Sequence, residues 1–391
     1  MMKAMRAVSI LTAAFLIFGC HSKKDSVIAT EPLEPTWQFS NFEKVDSINP
    51  ILKPSTELTF VDPITHNTVQ WEARNVLNPT AVVKDGNVYL LYRAQDSTGT
   101  SRIGMAVSED GLHFNKMPHP VFYPDQDAMK RYEWNYRKDN SFEKPMEACV
   151  SCYFDGVEDP RILKGEDERY IMTYTSYDGK TARLSLASST DLMHWTKHGL
   201  VLADEKYADT WSKSGAIVGE LKGGNVTAKK INGTYWMYFG DTSLFMATSE
   251  DLVKWKALED LESGKMIAVL HPRAGYFDSR LVEPGPFALY KNEGIVLIYN
   301  SSNAENCNDA TLPKFTYAAG QALFDDQKPY QLLERSRHYF IHPEKDYEKL
   351  GEVNEVCFVE GLVFFKERWF LYYGTADSKI AVAVYQPPKK S

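Results

Sequence analysis

A short aromatic-rich strand ending in Tyr or Phe, preceded by a tight polar turn, occurs five times in this chain. The copies are Val88-Tyr89-Leu90-Leu91-Tyr92, Tyr170-Ile171-Met172-Thr173-Tyr174, Tyr235-Trp236-Met237-Tyr238-Phe239, Ile295-Val296-Leu297-Ile298-Tyr299 and Trp369-Phe370-Leu371-Tyr372-Tyr373. Three are followed by a second repeat, Ser108-Glu109-Asp110 before Phe114, Ser189-Thr190-Asp191 before Trp195, and Ser249-Glu250-Asp251 before Trp255. One small sheet cannot bury both of its faces, so strand repeats of this length stack around an axis. The repeats therefore predict an all-β chain, a five-bladed β-propeller, in which equivalent positions of every unit converge on one central site.

Length and composition fit this reading. A closed repeat architecture accommodates 391 residues as a single domain, placed at residues 36–391. Hydrophobic content of 43% and charged content of 25% suit a soluble domain with a large core. A formal charge of −8 with no basic stripe argues against nucleic acid as a partner. The units are expected to start near Trp71, at Glu158, near Gly215, at Val282 and at Val356, with Lys84-Asp85-Gly86-Asn87 as the first hairpin turn. Two insertions, Asp125 to Tyr153 and Asn303 to Phe315, could rim a pocket.

The N-terminus reads differently. Lys3 and Arg6 precede an apolar run from Ala7 to Phe18, too short to span a bilayer and typical of a secretory signal over residues 1–19. Ile17-Phe18-Gly19-Cys20 resembles a bacterial lipobox, which implies an acylated Cys20, a polar tether over residues 20–35 and an extracytoplasmic, membrane-anchored protein. Contact with the membrane is then through the lipid anchor only. Cys149 and Cys152 have the spacing of half a zinc site, a redox pair or a loop disulfide, but no second pair or His cluster accompanies them.

Carboxylates recur where the units begin and end. Asn78-Pro79, Glu158-Asp159-Pro160-Arg161, Glu283-Pro284-Gly285 and Glu360-Gly361 open early strands, and Arg93, Asp241, Asn300 and Asp377 follow the aromatic strands. Each alone fits a turn or a cap. Carboxylates gathered at an axis repel one another and persist mainly where chemistry or a polyhydroxylated ligand requires them.

Gly156-Val157-Glu158-Asp159-Pro160-Arg161-Ile162, with Asn78-Pro79, Leu91-Tyr92-Arg93 and Tyr372-Tyr373-Gly374-Thr375-Ala376-Asp377, resembles glycoside hydrolase family 130, a family of β-mannoside phosphorylases and β-mannosidases on a five-bladed propeller. The resemblance implies Asp159 as general acid, its proton passing through a sugar hydroxyl. It implies that Arg161 either orients Asp159 or binds a sugar hydroxyl, with an ion pair to Glu158 as the structural alternative. It places Asn78, Arg93, Asp96 and Asp377 along a mannose subsite, with Asn300 a further candidate.

One departure from the family is informative. Phosphorylases of the family follow the third aromatic strand with a His-Arg pair that holds phosphate. Here those positions read Phe239-Gly240-Asp241, and Glu283 adds an acid that phosphorylases lack. A dianion in a dry pocket needs fixed cations, whereas two acids can instead activate water. Lys213 keeps one family cation. The sequence thus points to an exo-acting, inverting β-mannosidase on β-1,2-linked mannosides, with Asp159 as acid, Glu283 with Asp241 as base, and neither metal nor cofactor. The partner is a mannose-containing glycan. A phosphorylase of the same family and a non-catalytic glycan-binding lipoprotein are the alternatives.

Overall fold

Strands dominate the computed structural model, which describes residues 37–39, 42–139 and 153–387. Cys20, the signal and the tether, and the Cys149/Cys152 pair lie outside the described residues. Among the described residues the α-helices are two single turns, Lys130–Glu133 and Asp346–Lys349, the first inside the insertion read as a loop. No described helix is long and apolar enough to cross a membrane.

The strands fall into five antiparallel units. The first runs Asn75–Lys84, Asn87–Gln95, Thr100–Ser108 and Asn115–Lys116. The second runs Asp155–Lys164, Tyr170–Tyr177, Ala182–Ser189 and Thr196–Leu200. The third uses Ala216–Lys222, Thr234–Phe239, Phe245–Ser249 and Trp255–Ala257. In the fourth, Leu281–Pro284 and Ala288–Lys291 both pair with Gly294–Ser302, followed by Tyr317–Phe324 and Leu332–Arg335. The fifth joins Cys357–Phe365, Arg368–Thr375 and Lys379–Tyr385 to Glu43–Lys44, far back in the chain.

Local chemistry explains the repeats. Asp85 and Gly86 both have positive φ (50° and 76°), as a two-residue hairpin turn matching strand twist requires. In each Ser-x-Asp copy the Ser and Asp oxygens accept backbone N–H groups of the next residues, turning the third strand into the fourth. In four units an aromatic-strand Tyr donates to a buried acid from the segment before the first strand, and a cation on the fourth strand pairs with that acid. The sets are Tyr92–Glu72–Lys116, Tyr174–Glu133–Lys197, Tyr299–Asp278–Arg335 and Tyr373–Glu348–Lys44. Each set fastens an incoming loop to the outer edge of its own sheet. The set of the fifth unit also fastens the N-terminal strand, since Lys44 lies 2.8 Å from Glu348.

The first strands meet side by side. Ile162 N donates to Thr80 Oγ1, Val218 runs parallel to Ala288, the Asn300 amide exchanges two bonds with Val359, and Gly361 approaches the Pro79 carbonyl. Where they meet, three of them carry register shifts, at Leu77/Pro79, Glu158/Arg161 and Val359/Gly361. Such bulges re-aim side chains out of the ladder.

Candidate active site

The bulged residues supply the site. Asn78 (φ 47°) and Asp159 (φ 51°) both hold left-handed backbone directly before a proline, and Ser214 (φ 61°) and Asp377 (φ 48°) hold left-handed backbone in loops. Non-glycine residues in that region cost about 1–3 kcal/mol each and persist where the surroundings over-determine them. Here they turn polar side chains toward one another.

Asp159, 1% exposed, is the hub. Its Oδ1 accepts from Asn78 Nδ2 at 2.9 Å and Arg93 at 3.2 Å, and its Oδ2 lies 3.4 Å from Lys213 Nζ. Arg93 also reaches Glu158 at 2.6 Å, and Ser101 adds a bond to the same Glu158 oxygen. Lys213 stands 3.4 Å from Glu283 Oε1, which also accepts from Ser214 Oγ. The Asp159 and Glu283 oxygens are therefore no farther apart than those two 3.4 Å contacts laid end to end. That ceiling reaches the lower edge of the ~6.5–9.5 Å needed by an inverting acid–base pair.

Six carboxylates, those of Glu158, Asp159, Asp241, Glu283, Glu360 and Asp377, face three cations, Arg93, Arg161 and Lys213. Burial pushes Glu158 up to about 7, against the pull of Arg93, and Asp377 up to about 6. Burial likewise raises Glu283, and raises Glu360 well above the carboxylate range. Burial opposes ionisation of Asp159 too, but Arg93, Lys213 and Asn78 outweigh it and hold that group well below its ordinary value. As arranged, the cluster's protons reside around Asp159 and not on it.

Three residues assigned to sugar binding are committed elsewhere. Arg161 is 4% exposed and donates to the carbonyls of Gly285, Pro284 and Asp159, with Glu360 at 2.9 Å. It pins the second unit to the fourth and fifth, and its ion pair is with Glu360, not Glu158. Asn300 spends its amide on Val359. Asp96 closes a turn at Thr98 and Thr100 and pairs with the buried Arg102 at 2.7 Å. Asp241 stands beside Lys213 and Glu283 but is partly exposed, and its Oδ2 accepts from Trp211 Nε1 at 2.7 Å.

Sequence reasoning missed Trp211 and Ser214, and gave Glu360 no role. The Ser212-Lys213-Ser214-Gly215 run flanking the family cation was the available signal for Ser214. Gly240 carries φ 125°, a Cβ there would lie 2.3 Å from the Ser243 carbonyl, and its N–H donates to the Lys213 carbonyl. Phe239 is buried in the core. Among the described residues no group of three or more His, Cys, Asp or Glu is arranged to hold a metal ion.

Residues 135–388 match the glycoside hydrolase 130 model, described as beta-1,4-mannooligosaccharide phosphorylase. A curated beta-1,2-mannobiose phosphorylase of Thermoanaerobacter sp. (strain X514) is 29% identical, over 82% of this chain and 93% of its own. The crystal structure of a glycosyl hydrolase from Bacteroides ovatus is 40% identical with TM-score 0.84, covering 92% of this chain and 97% of its own. A solved structure with the same identity, TM-score and coverage accompanies the statement that the family of mannoside phosphorylases contains glycoside hydrolases that target β-1,2 mannosidic linkages in Candida mannan. With its strained Asp159 motif where the first strands of its β units meet, this chain belongs to glycoside hydrolase family 130.

Proposed function

We propose that the five units are the blades of a five-bladed β-propeller and that the chain is an exo-acting, inverting β-mannosidase cleaving β-1,2-linked mannosides. The observation that carries the hydrolytic reading is charge. Six carboxyl groups, Asp159 among them, gather with three cations, and Arg161 is spent on backbone carbonyls and Glu360. Each of the three cations already pairs with a carboxylate, so a phosphate dianion would have to displace one of those partners. Water carries no such cost.

In this mechanism Asp159 delivers the proton, through a sugar hydroxyl, to the departing oxygen. The proton is drawn from the protonated neighbours Glu158 and Asp377 as the sugar's hydroxyls displace the Arg93 contact to Asp159. Asn78, Arg93 and Asp377 bind the mannose ring. Glu283, fixed by Ser214, takes the proton of the attacking water, and general acid and base each contribute about 10²–10⁴-fold. Asp241, tied to Trp211, assists by orientation.

The phosphorolytic alternative draws on the curated relative, a phosphorylase, and on Lys213, a cation the site retains. Digestion of a panel of β-1,2-, β-1,3- and β-1,4-linked manno-oligosaccharides, with and without phosphate, separates the two readings. Free mannose without phosphate supports hydrolysis, and product formed only with phosphate contradicts it. Absence of any cleavage would leave a glycan-binding role. We further propose that Cys20 is acylated and that the mature protein is an extracytoplasmic lipoprotein, on the strength of the lipobox-like Ile17-Phe18-Gly19-Cys20.

A further inference from the structure

Lys213 occupies a position that neither the acid nor the base explains alone. Among the described residues it is the one cation within 4 Å of both Asp159 and Glu283, at 3.4 Å from each. Arg93 reaches Asp159 but not Glu283, dividing itself with Glu158. Arg161 touches only the backbone carbonyl of Asp159. The lysine's own backbone is fixed, its carbonyl accepting from Gly240 N–H at 2.9 Å. Ser214, next in the chain, holds Glu283. A single two-residue segment therefore grips both reacting carboxylates.

We infer that Lys213 is a positioning residue that couples the proton donor Asp159 to the water-activating Glu283, holding the two carboxylates together against their mutual repulsion. The inference rests on the hydrolytic reading above. The groups that face this ammonium come from four of the five units. Asp159 and Glu158 come from the second, Asp241 from the third, and Glu283 and Tyr317 from the fourth. Glu360 and Asp377 come from the fifth, and Arg93 of the first faces Asp159 from the other side. A cation 3.4 Å from a buried carboxylate stabilises its ionised form, so removing the charge raises the pH at which each partner titrates. Lys213 also favours ionisation of Glu158 and Asp377, which hold the proton the acid step draws on, so both limbs of the pH–rate bell should move the same way. A residue that merely fills space would lower the rate and leave the limbs in place.

The test is the pH dependence of kcat/KM for mannose release from β-1,2-mannobiose by wild type, K213Q and K213R. K213Q should lose at least about tenfold at the wild-type optimum and show a bell displaced upward by about one pH unit or more. K213R should keep the wild-type bell. K213C before and after aminoethylation provides a second pair, with wild type treated alike because Cys307 is exposed. The restored ammonium should return the bell to its wild-type position. A wild type that hydrolyses while K213Q or K213C keeps an unmoved bell overturns the inference alone. A K213R bell that moves with K213Q also overturns it. A wild type that yields mannose 1-phosphate and no free mannose overturns the hydrolytic reading, and the inference with it.

Discussion

Replacing Glu283 by Gln isolates the base with little structural disturbance. The side chain is 4% exposed, and its Oε1 accepts from Ser214 and lies 3.4 Å from Lys213. An amide oxygen can keep the Ser214 bond. Lys213 loses one of its two close partners and keeps Asp159 at 3.4 Å. Burial already disfavours the Glu283 charge, and Asp241 adds to that, so a neutral isostere costs little stability. We expect a change under about 1 kcal/mol, a melting shift below about 4 °C. Catalysis should suffer far more. Loss of a general base is worth about 10²–10⁴-fold, or about 2.7–5.5 kcal/mol at 1.36 kcal/mol per tenfold. The assay is kcat for mannose release from β-1,2-mannobiose, beside a thermal melt. Asp241→Asn is the internal control and should cost about tenfold or less, since Trp211 holds that carboxylate at 2.7 Å. An E283Q enzyme within tenfold of wild type, or one that loses stability with its turnover intact, would refute the assignment.

Asp159→Asn should fold normally, keep its Asn78 contact and lose at least about 10² in kcat; near wild-type turnover would remove Asp159 from the mechanism. Glu158 and Asp377, pushed up by burial to about 7 and about 6, hold protons below those values and release them as pH rises. Because the acid step draws on that proton, kcat/KM should decline as pH passes through about 6–7, and a rate still climbing at alkaline pH would contradict this. Lys44→Met leaves Glu348 buried without its 2.8 Å partner and should cost about 3–5 kcal/mol in denaturant unfolding; a loss below about 1 kcal/mol would show that the N-terminal strand is not what closes the fifth unit. Cys20→Ala should move the protein from the membrane to the soluble fraction or leave it unprocessed, and a wholly soluble wild type with an unmodified N-terminus would contradict the lipoprotein proposal.

Much of the fold was legible because the repeated pattern is carried by residues with local reasons to be there. The aromatic strands each carry a terminal Tyr or Phe and are buried along most of their length, and the hairpin turn at Asp85 and Gly86 needs left-handed backbone. The N-terminal strand was not legible. Glu43–Lys44 is too short for any periodicity, and it is held by a lysine whose partner, Glu348, is distant in sequence. Asp159 and Asn78 were legible through the Glu-Asp-Pro-Arg and Asn-Pro motifs on which the family resemblance rests. Sequence alone could not tell a carboxylate or amide that faces the centre from one spent on its own backbone. Asp96 and Asn300 occupied the right places in the repeat, yet they satisfy a turn and a neighbouring strand. Arg161 looked like a ligand because it neighbours Asp159, but its guanidinium reaches three backbone carbonyls and Glu360. Conversely, the two contacts of Lys213, with Asp159 of the second unit and Glu283 of the fourth, join residues far apart in sequence.

In the proposed mechanism water, not phosphate, takes the anomeric carbon in a single displacement between Asp159 and Glu283. A ¹H NMR time course of β-1,2-mannobiose digestion, with and without phosphate, observes this directly. Inverting hydrolysis gives α-mannose as the first-formed product at a rate independent of phosphate, with β-mannose appearing only as the sugar mutarotates. First-formed β-mannose would contradict inversion, and α-mannose 1-phosphate appearing only when phosphate is present would contradict hydrolysis.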